Sequence, residues 1–292
     1  MESAKANYKQ IKSVKDSCFE LDQLHQYVLA IQLGIRDFQL AVINHEDRLI
    51  LLEDYVIGEL NSTEEWLLSL KSLFDSHTLL QAGFWKEVKI SLKNKKFVQV
   101  PQPLFDARAV ADYLQFNAHL AEDEEALFYE DSEAEIVTVF PVPGAMYEWF
   151  NSLYARAKVS YYHQSAAIIR GLLNMREEPR ESLYILVDRF KLHIISIKSN
   201  RLIFYNQFVI RRFPDYVKYI MLVMKGLSMN QETCRISLWG FIGNDTPHYQ
   251  EFCRYVRNVG FGARPENLKF GYFFDEVQTH HFVDLYSLFL LK

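Results

Sequence analysis

Tyr27-Val-Leu-Ala-Ile-Gln-Leu33, then Gly34-Ile35-Arg36, then Phe38-Gln-Leu-Ala-Val-Ile43 reads as two β-strands joined by a tight turn. β-Branched and aromatic side chains fill the runs, and turn-forming residues separate them. A second turn at Asn44 to Asp47 brings the chain back through Leu49 to Ile57, completing a three-stranded antiparallel meander. The pattern recurs later. Leu183-Tyr-Ile-Leu-Val187 leads to Asp188, Leu192 to Ile197 returns, Ser199-Asn200 turns, and Leu202 to Ile210 follows.

Each meander is followed by a helix signal and one further strand. Ser62 and Thr63 are placed to cap a helix whose apolar residues Trp66, Leu67, Leu70, Leu73 and Phe74 recur at helical spacing, with Glu64 and Glu65 in its first turn. Glu87 to Leu92 then reads as a strand. In the second copy Pro214 opens a helix carrying Val217, Ile220, Met221, Met224 and Leu227 on one face, and Cys234 to Trp239 is the strand after it. The order βββαβ therefore occurs twice. Between the copies, the pattern predicts a helix over Pro103 to Phe116, a solvated loop at the acidic run Glu122 to Glu125, a strand over Glu135 to Phe140, a helix over Gly144 to Arg156, an extended piece at Val159 to Tyr162 and a helix over Ala166 to Leu173. Beyond the second copy it predicts a helix over Thr246 to Val259 and a strand over Leu268 to Phe274. The expected division is a first domain over 1–175, opened by a polar segment, and a second over 176–292.

Composition narrows the function classes. With 292 residues, 49% apolar and 15% aromatic, the chain has material for two cores. Its 32 Lys and Arg against 37 Asp and Glu leave a formal charge of -5, which argues against nucleic acid or an anionic membrane as the main electrostatic partner. Met1 to Gln26 lacks the apolar core of a secretory signal, and no run reaches the roughly 18 to 20 apolar residues of a transmembrane helix. A cytoplasmic protein without a transmembrane segment is expected. Cys18, Cys234 and Cys253 show no CxxC spacing and read as reduced thiols, mostly buried.

A duplicated meander continued by helix-linked strands resembles the paired ribonuclease H-like domains of the actin, sugar kinase and Hsp70 ATPase superfamily, an α/β fold with two mixed sheets. The resemblance covers most of the chain after Gln26. Ile136-Val-Thr-Val-Phe-Pro141 and Lys158-Val-Ser-Tyr-Tyr-His-Gln-Ser-Ala-Ala-Ile-Ile-Arg-Gly171 make it similar to an uncharacterised bacterial family with an actin-like ATPase fold, and more distantly to the actin-like scaffolds of pilus assembly and type II secretion. In active members, the resemblance implies, an Asp-x-Gly in the first turn of each domain contacts phosphate and hydrated magnesium. Here the first turn offers Gln32-Leu33-Gly34, with an amide in place of the carboxylate. The second offers Asp188-Arg189-Phe190, with a bulky residue in place of the glycine. The superfamily's adenosine loop has its counterpart in Gly240-Phe241-Ile242-Gly243, where Phe241 stands for a second glycine. Two readings stand for Gly240 and Gly243, a strand-to-helix turn or a nucleotide contact, and two for Asp188, a turn cap or a ligand contact. ATP and magnesium are the ligands the resemblance implies; the residues themselves assign no cofactor.

Other clusters carry less. His280, His281 and Asp284 are too few for a metal site and fit a capped terminal helix. The lysines of the expected hairpin Lys86 to Lys96 fit a solvated strand face whose charges discourage edge pairing, more than a nucleic-acid surface. No Gly-x-Ser-x-Gly, P-loop or His-Glu-x-x-His pattern is present. The sequence therefore points to a protein-binding scaffold with a degenerate nucleotide site and an unidentified protein partner. The alternative is an ATPase or phosphotransferase that uses Asp188 and magnesium. A ribonuclease H-like nuclease needs several carboxylates about a metal pair, and Gln32 at the end of the first strand speaks against it.

Overall fold

The computed structural model describes residues 7–60, 62–175, 182–189, 191–212 and 214–292. The chain forms two compact units. The first holds the chain up to Ile168 together with Asn267–Glu276 and Asp284–Lys292, and the second holds Ile169–Glu266 and Val277–Val283.

In chain order the strands and helices of the first stretch are β1 (Tyr8–Lys15), β2 (Val28–Leu33), β3 (Asp37–Ile43), β4 (Arg48–Ile57), α1 (Thr63–Ser76), β5 (Glu87–Leu92), β6 (Val98–Pro101), α2 (Val110–Gln115), β7 (Glu124–Asp131), β8 (Ile136–Pro143), α3 (Gly144–Leu153), β9 (Lys158–His163) and α4 (Gln164–Asn174). There follow β10 (Ser182–Val187), β11 (Lys191–Lys198), β12 (Arg201–Val209), α5 (Pro214–Gly226), β13 (Arg235–Gly240), α6 (Pro247–Phe252), β14 (Asn258–Phe261), β15 (Lys269–Phe270) and α7 (Val283–Ser287).

The main sheet of the first unit runs β1-β4-β3-β2-β5-β9, with β15 also on β4, and that of the second runs β12-β11-β10-β13-β14. Omitting β1 and β15, both follow one order: third, second, first, fourth and fifth strand. The first three strands are antiparallel meanders and the last two are parallel additions. This is the duplicated ribonuclease H-like arrangement.

The helices form where apolar spacing and caps coincide. Ser62 accepts a hydrogen bond from the Glu65 N–H at 3.2 Å, and Trp66, Leu70, Leu73 and Phe74 are buried on one side of α1. They pack with Leu33, Phe38 and Leu40 of the sheet and with Met146 and Phe150 of α3. Each such side chain contributes roughly 1.5–3 kcal/mol through burial. The second unit repeats this, with Ile220, Val223 and Met224 of α5 sharing a core with Leu183, Ile185, Ile236 and Leu238 of the sheet. The three-stranded sheet β6-β8-β7 has its own small core of Val100, Leu114, Val137 and Val139.

Several local expectations are corrected. The polar start of the chain contains β1, which lies antiparallel on β4; from Ile11 to Lys15 exposed and half-buried positions alternate, as in a strand with one solvated side. Glu124 and Glu125 begin β7 and do not belong to a loop. The helix expected over Pro103 to Phe116 is broken into short 3-10 turns and α2. The one expected over Thr246 to Val259 ends at Phe252, and Val259 lies in β14, parallel to β13. Only Lys269–Phe270 of the expected last strand is extended. Cys18 and Cys253 are exposed, and Cys234 alone of the three is buried.

The largest correction concerns the lysines. β5 is an inner strand, parallel to β2 on one side and β9 on the other, so Lys86 to Lys96 is neither a hairpin nor a sheet edge. Lys89 and Lys93 are buried. Lys89 Nζ donates to the Leu291 carbonyl, and burial pushes its ammonium below the usual lysine range. No helix among the described residues is long and apolar enough to cross a membrane.

Candidate functional site

The turn between β2 and β3 is closed by the Gly34 N–H donating to the Asp37 carbonyl at 2.9 Å. At the end of the adjacent parallel strand, the Lys93 N–H donates to the Leu33 carbonyl at 2.8 Å. These bonds place Asp37 and Lys93 on either side of Gly34, and their side chains form a buried ion pair. A Cβ on Gly34 would overlap Asp37 Oδ1. A larger residue at this position would have to displace the Asp37 carboxylate from its ion pair. Trp66 of α1 fixes the same turn by donating Nε1–H to the Gly34 carbonyl at 2.9 Å.

Gln32 is fully buried, and among the described residues neither atom of its amide has a hydrogen-bond partner. It lies in register with Gln39 on β3 and Ser91 on β5. Gln39 donates to Asp54 at 3.1 Å, while the Ser91 hydroxyl is another buried group without a partner among the described residues. Gln32 is therefore packed within the sheet layer.

In the second unit the Asp188 N–H donates to the Lys191 carbonyl at 2.9 Å, and the Phe241 N–H donates to the Val187 carbonyl at 2.7 Å. These bonds match those of the first turn one for one. They put Asp188 at the position of Gly34, Leu186 at that of Gln32, and Phe241 at that of Lys93. Asp188 is buried, its Oδ1 accepts from the Arg189 N–H at 2.8 Å, and its Oδ2 lies 4.0 Å from His193 Nε2. Phe190 falls outside the described residues.

The expected adenosine loop follows β13. Gly240 has φ +86°, donates its N–H to the His280 carbonyl at 2.8 Å, and leaves no room for a Cβ beside the Val187 carbonyl. A left-handed backbone and this close approach both require glycine. Gly243 is less constrained; a Cβ there would meet Asp245 Oδ1 at 2.7 Å. Phe241 carries the Arg189 guanidinium 4.4 Å from its ring centre. The structure thus joins Asp188, Arg189, Gly240 and Phe241 at the ends of two parallel strands. A cavity of about 740 Å³ beside them is lined by residues including Phe241, Gly243, Asp245, Thr246, His280 and His281. His280 Nε2 lies 2.7 Å from the Ile242 carbonyl, and burial holds its pKa below the usual histidine value.

Sequence reasoning missed Asp37, Lys93 and the Arg189–Phe241 contact. Spacing gives no sign of them, because each depends on strand pairing. Asp284 accepts a hydrogen bond from Gln164 at 2.7 Å, and no group of three His, Cys, Asp or Glu among the described residues is placed to hold a metal ion.

A family model for a protein of unknown function (DUF3822) matches residues 16–259. No curated protein matches the chain. Among solved structures, one similar fold is a Bacteroides thetaiotaomicron protein with actin-like ATPase fold and unknown function, at TM-score 0.78 and 20% identity over 94% of this chain and 100% of that one. Another is the PilM-PilN type IV pilus biogenesis complex, at TM-score 0.62 and 12% identity over 90% of this chain and 97% of that one. A third is the ethanolamine utilization protein EutJ from Carboxydothermus hydrogenoformans, at TM-score 0.50 and 9% identity over 91% and 90%.

Proposed function

Because the chain belongs to the DUF3822 family of proteins of unknown function and has the actin-like ATPase fold, we propose that it is a cytoplasmic protein-binding scaffold whose nucleotide site is degenerate. The observation that carries this reading is the ion pair of Asp37 and Lys93 across Gly34. An internal ammonium and carboxylate neutralise each other where the resemblance implies a phosphate and a hydrated cation. Gln32 beside them and Leu186 at the matching position of the second turn are both buried and uncharged, so neither supplies a carboxylate for magnesium. The similarity to a pilus biogenesis protein complexed with another protein supports a binding role.

A second reading, an ATPase or phosphotransferase using Asp188 and magnesium, is favoured by the surviving carboxylate and by the cavity beside Gly243. Calorimetric titration with ATP and magnesium, combined with a phosphate-release assay, separates the two. The scaffold reading expects no turnover. Tight binding with turnover that disappears in Asp188→Ala overturns it.

A further inference from the structure

The three-stranded sheet β6-β8-β7 is covered on one face by a helix too short for it. α2 has six residues and is about 9 Å long, whereas β7 has eight and is about 26 Å long. Val100, Val137 and Val139 of the sheet are buried with Leu114 of α2. Phe128, in register with Val139 and so on the same face, is left 40% exposed.

The part of this face beyond the helix is aromatic. The Phe105 ring centre lies 5.0 Å from that of Phe128 and 5.7 Å from that of Tyr113. The Tyr113 hydroxyl donates to the Leu104 carbonyl at 2.9 Å, and Leu104 is 71% exposed. These contacts join Leu104, Phe105, Tyr113 and Phe128 into one apolar patch.

The same part of the chain is acidic. Residues 98–143, from the start of β6 to the end of β8, hold ten Asp and Glu against a single Arg and no Lys. The remainder of the chain has more Lys and Arg than Asp and Glu, so the formal charge of -5 originates in this sheet and its connections. The one cation, Arg108, is held by Asp106 at 2.7 Å. Of the lysines just before β6, Lys93 pairs with Asp37 and Lys96 with Glu124 at the start of β7, while Lys95 is exposed. Asp112, Glu122, Asp123, Glu125 and Glu130 are exposed and form no ion pair among the described residues. Glu130 lies two residues from Phe128, on the same side of β7.

We propose that the patch of Leu104, Phe105, Tyr113 and Phe128 docks a basic amphipathic segment of a partner protein, whose apolar residues cover the rings and whose lysines or arginines meet the surrounding carboxylates. The inference rests on the scaffold reading and names its binding surface. Apolar contact with aromatic side chains supplies affinity at such a surface, and the charge selects the partner and steers its approach.

The test uses the full chain and a fluorescein-labelled peptide of leucine and lysine. Two control peptides carry glutamate in place of lysine and serine in place of leucine. Binding is followed by fluorescence anisotropy and located by hydrogen exchange. The leucine–lysine peptide is expected to bind, to slow exchange around residues 104–105 and 126–130, and to lose about tenfold in affinity in Leu104→Ser/Phe128→Ser. Glu130→Lys is expected to lower affinity about threefold and to flatten its salt dependence. Circular dichroism establishes that each variant is folded, and Leu104→Ser alone, at the most exposed position, serves if the double variant is not. Absence of binding, equal binding of either control, unchanged affinity in the folded variants, or protection away from the patch overturns the proposal. So does concentration-dependent self-association that the same variants abolish, which makes a second copy the occupant. ATP turnover bears on the scaffold reading alone, so the two failures are distinguishable.

Discussion

The turns after β2 and β10 share a backbone and differ in everything attached to it. Gly34 to Asp37 and Asp188 to Lys191 close with the same hydrogen bond, and the next parallel strand sends an equivalent N–H, from Lys93 or Phe241, to the last carbonyl of the first strand. In the first turn an ion pair crosses the glycine; in the second a carboxylate caps its own turn and an arginine lies on a phenylalanine. Strand pairing maintains the turn geometry, and side chains of quite different chemistry are accommodated on it.

The sharpest way to break this comparison is to remove one partner from each turn. Lys93→Ala leaves the Asp37 carboxylate buried without its cation and is expected to cost about 3–5 kcal/mol, read as a fall in the urea midpoint. Replacing both members, in Lys93→Met with Asp37→Leu, is expected to recover most of that loss, because no charge is then left buried. Arg189→Ala removes a cation–π contact and is expected to cost only about 0.5–1 kcal/mol. Equal losses in the two turns contradict the contrast.

A smaller effect separates the two glycines of the second unit. Gly240→Ala forces a side chain onto a left-handed residue and against the Val187 carbonyl, at a cost of about 2 kcal/mol or more. Gly243→Ala displaces only the end of the Asp245 side chain and is expected to stay within about 1 kcal/mol. Thermal unfolding of the two variants measures the difference. A loss at Gly243 as large as at Gly240 contradicts the turn-based account of both.

The duplicated meander was legible because buried strands carry continuous apolar runs and the turns between them carry turn residues. Gln32, Gly34, Asp188 and Gly240 were legible as the ends of those strands. Their relation was not. Matching Gln32-Leu33-Gly34 to Asp188-Arg189-Phe190 by residue type places Asp188 opposite Gln32, whereas the hydrogen bonds place it opposite Gly34. Lys93 was hidden for a related reason: a lysine-rich run commonly marks an edge, and only the pairing of β5 with both β2 and β9 reveals that two of its lysines are interior.

The smallest effect has the opposite sign. Gln32 holds two buried amide atoms without partners among the described residues, a condition that costs about 1–3 kcal/mol, while Leu186 at the matching position buries only carbon. Gln32→Leu keeps most of the volume and removes both polar atoms, so a gain of about 1 kcal/mol is expected, visible as a higher melting temperature. The reciprocal Leu186→Gln introduces the same burden into the second unit and is expected to lower stability by about 1–3 kcal/mol. Loss of stability in Gln32→Leu together with a neutral Leu186→Gln means that the Gln32 amide is satisfied, and that the two positions are not equivalent. Opposite signs in the two exchanges instead mean that the two positions share one apolar environment, in which the Gln32 amide finds no partner.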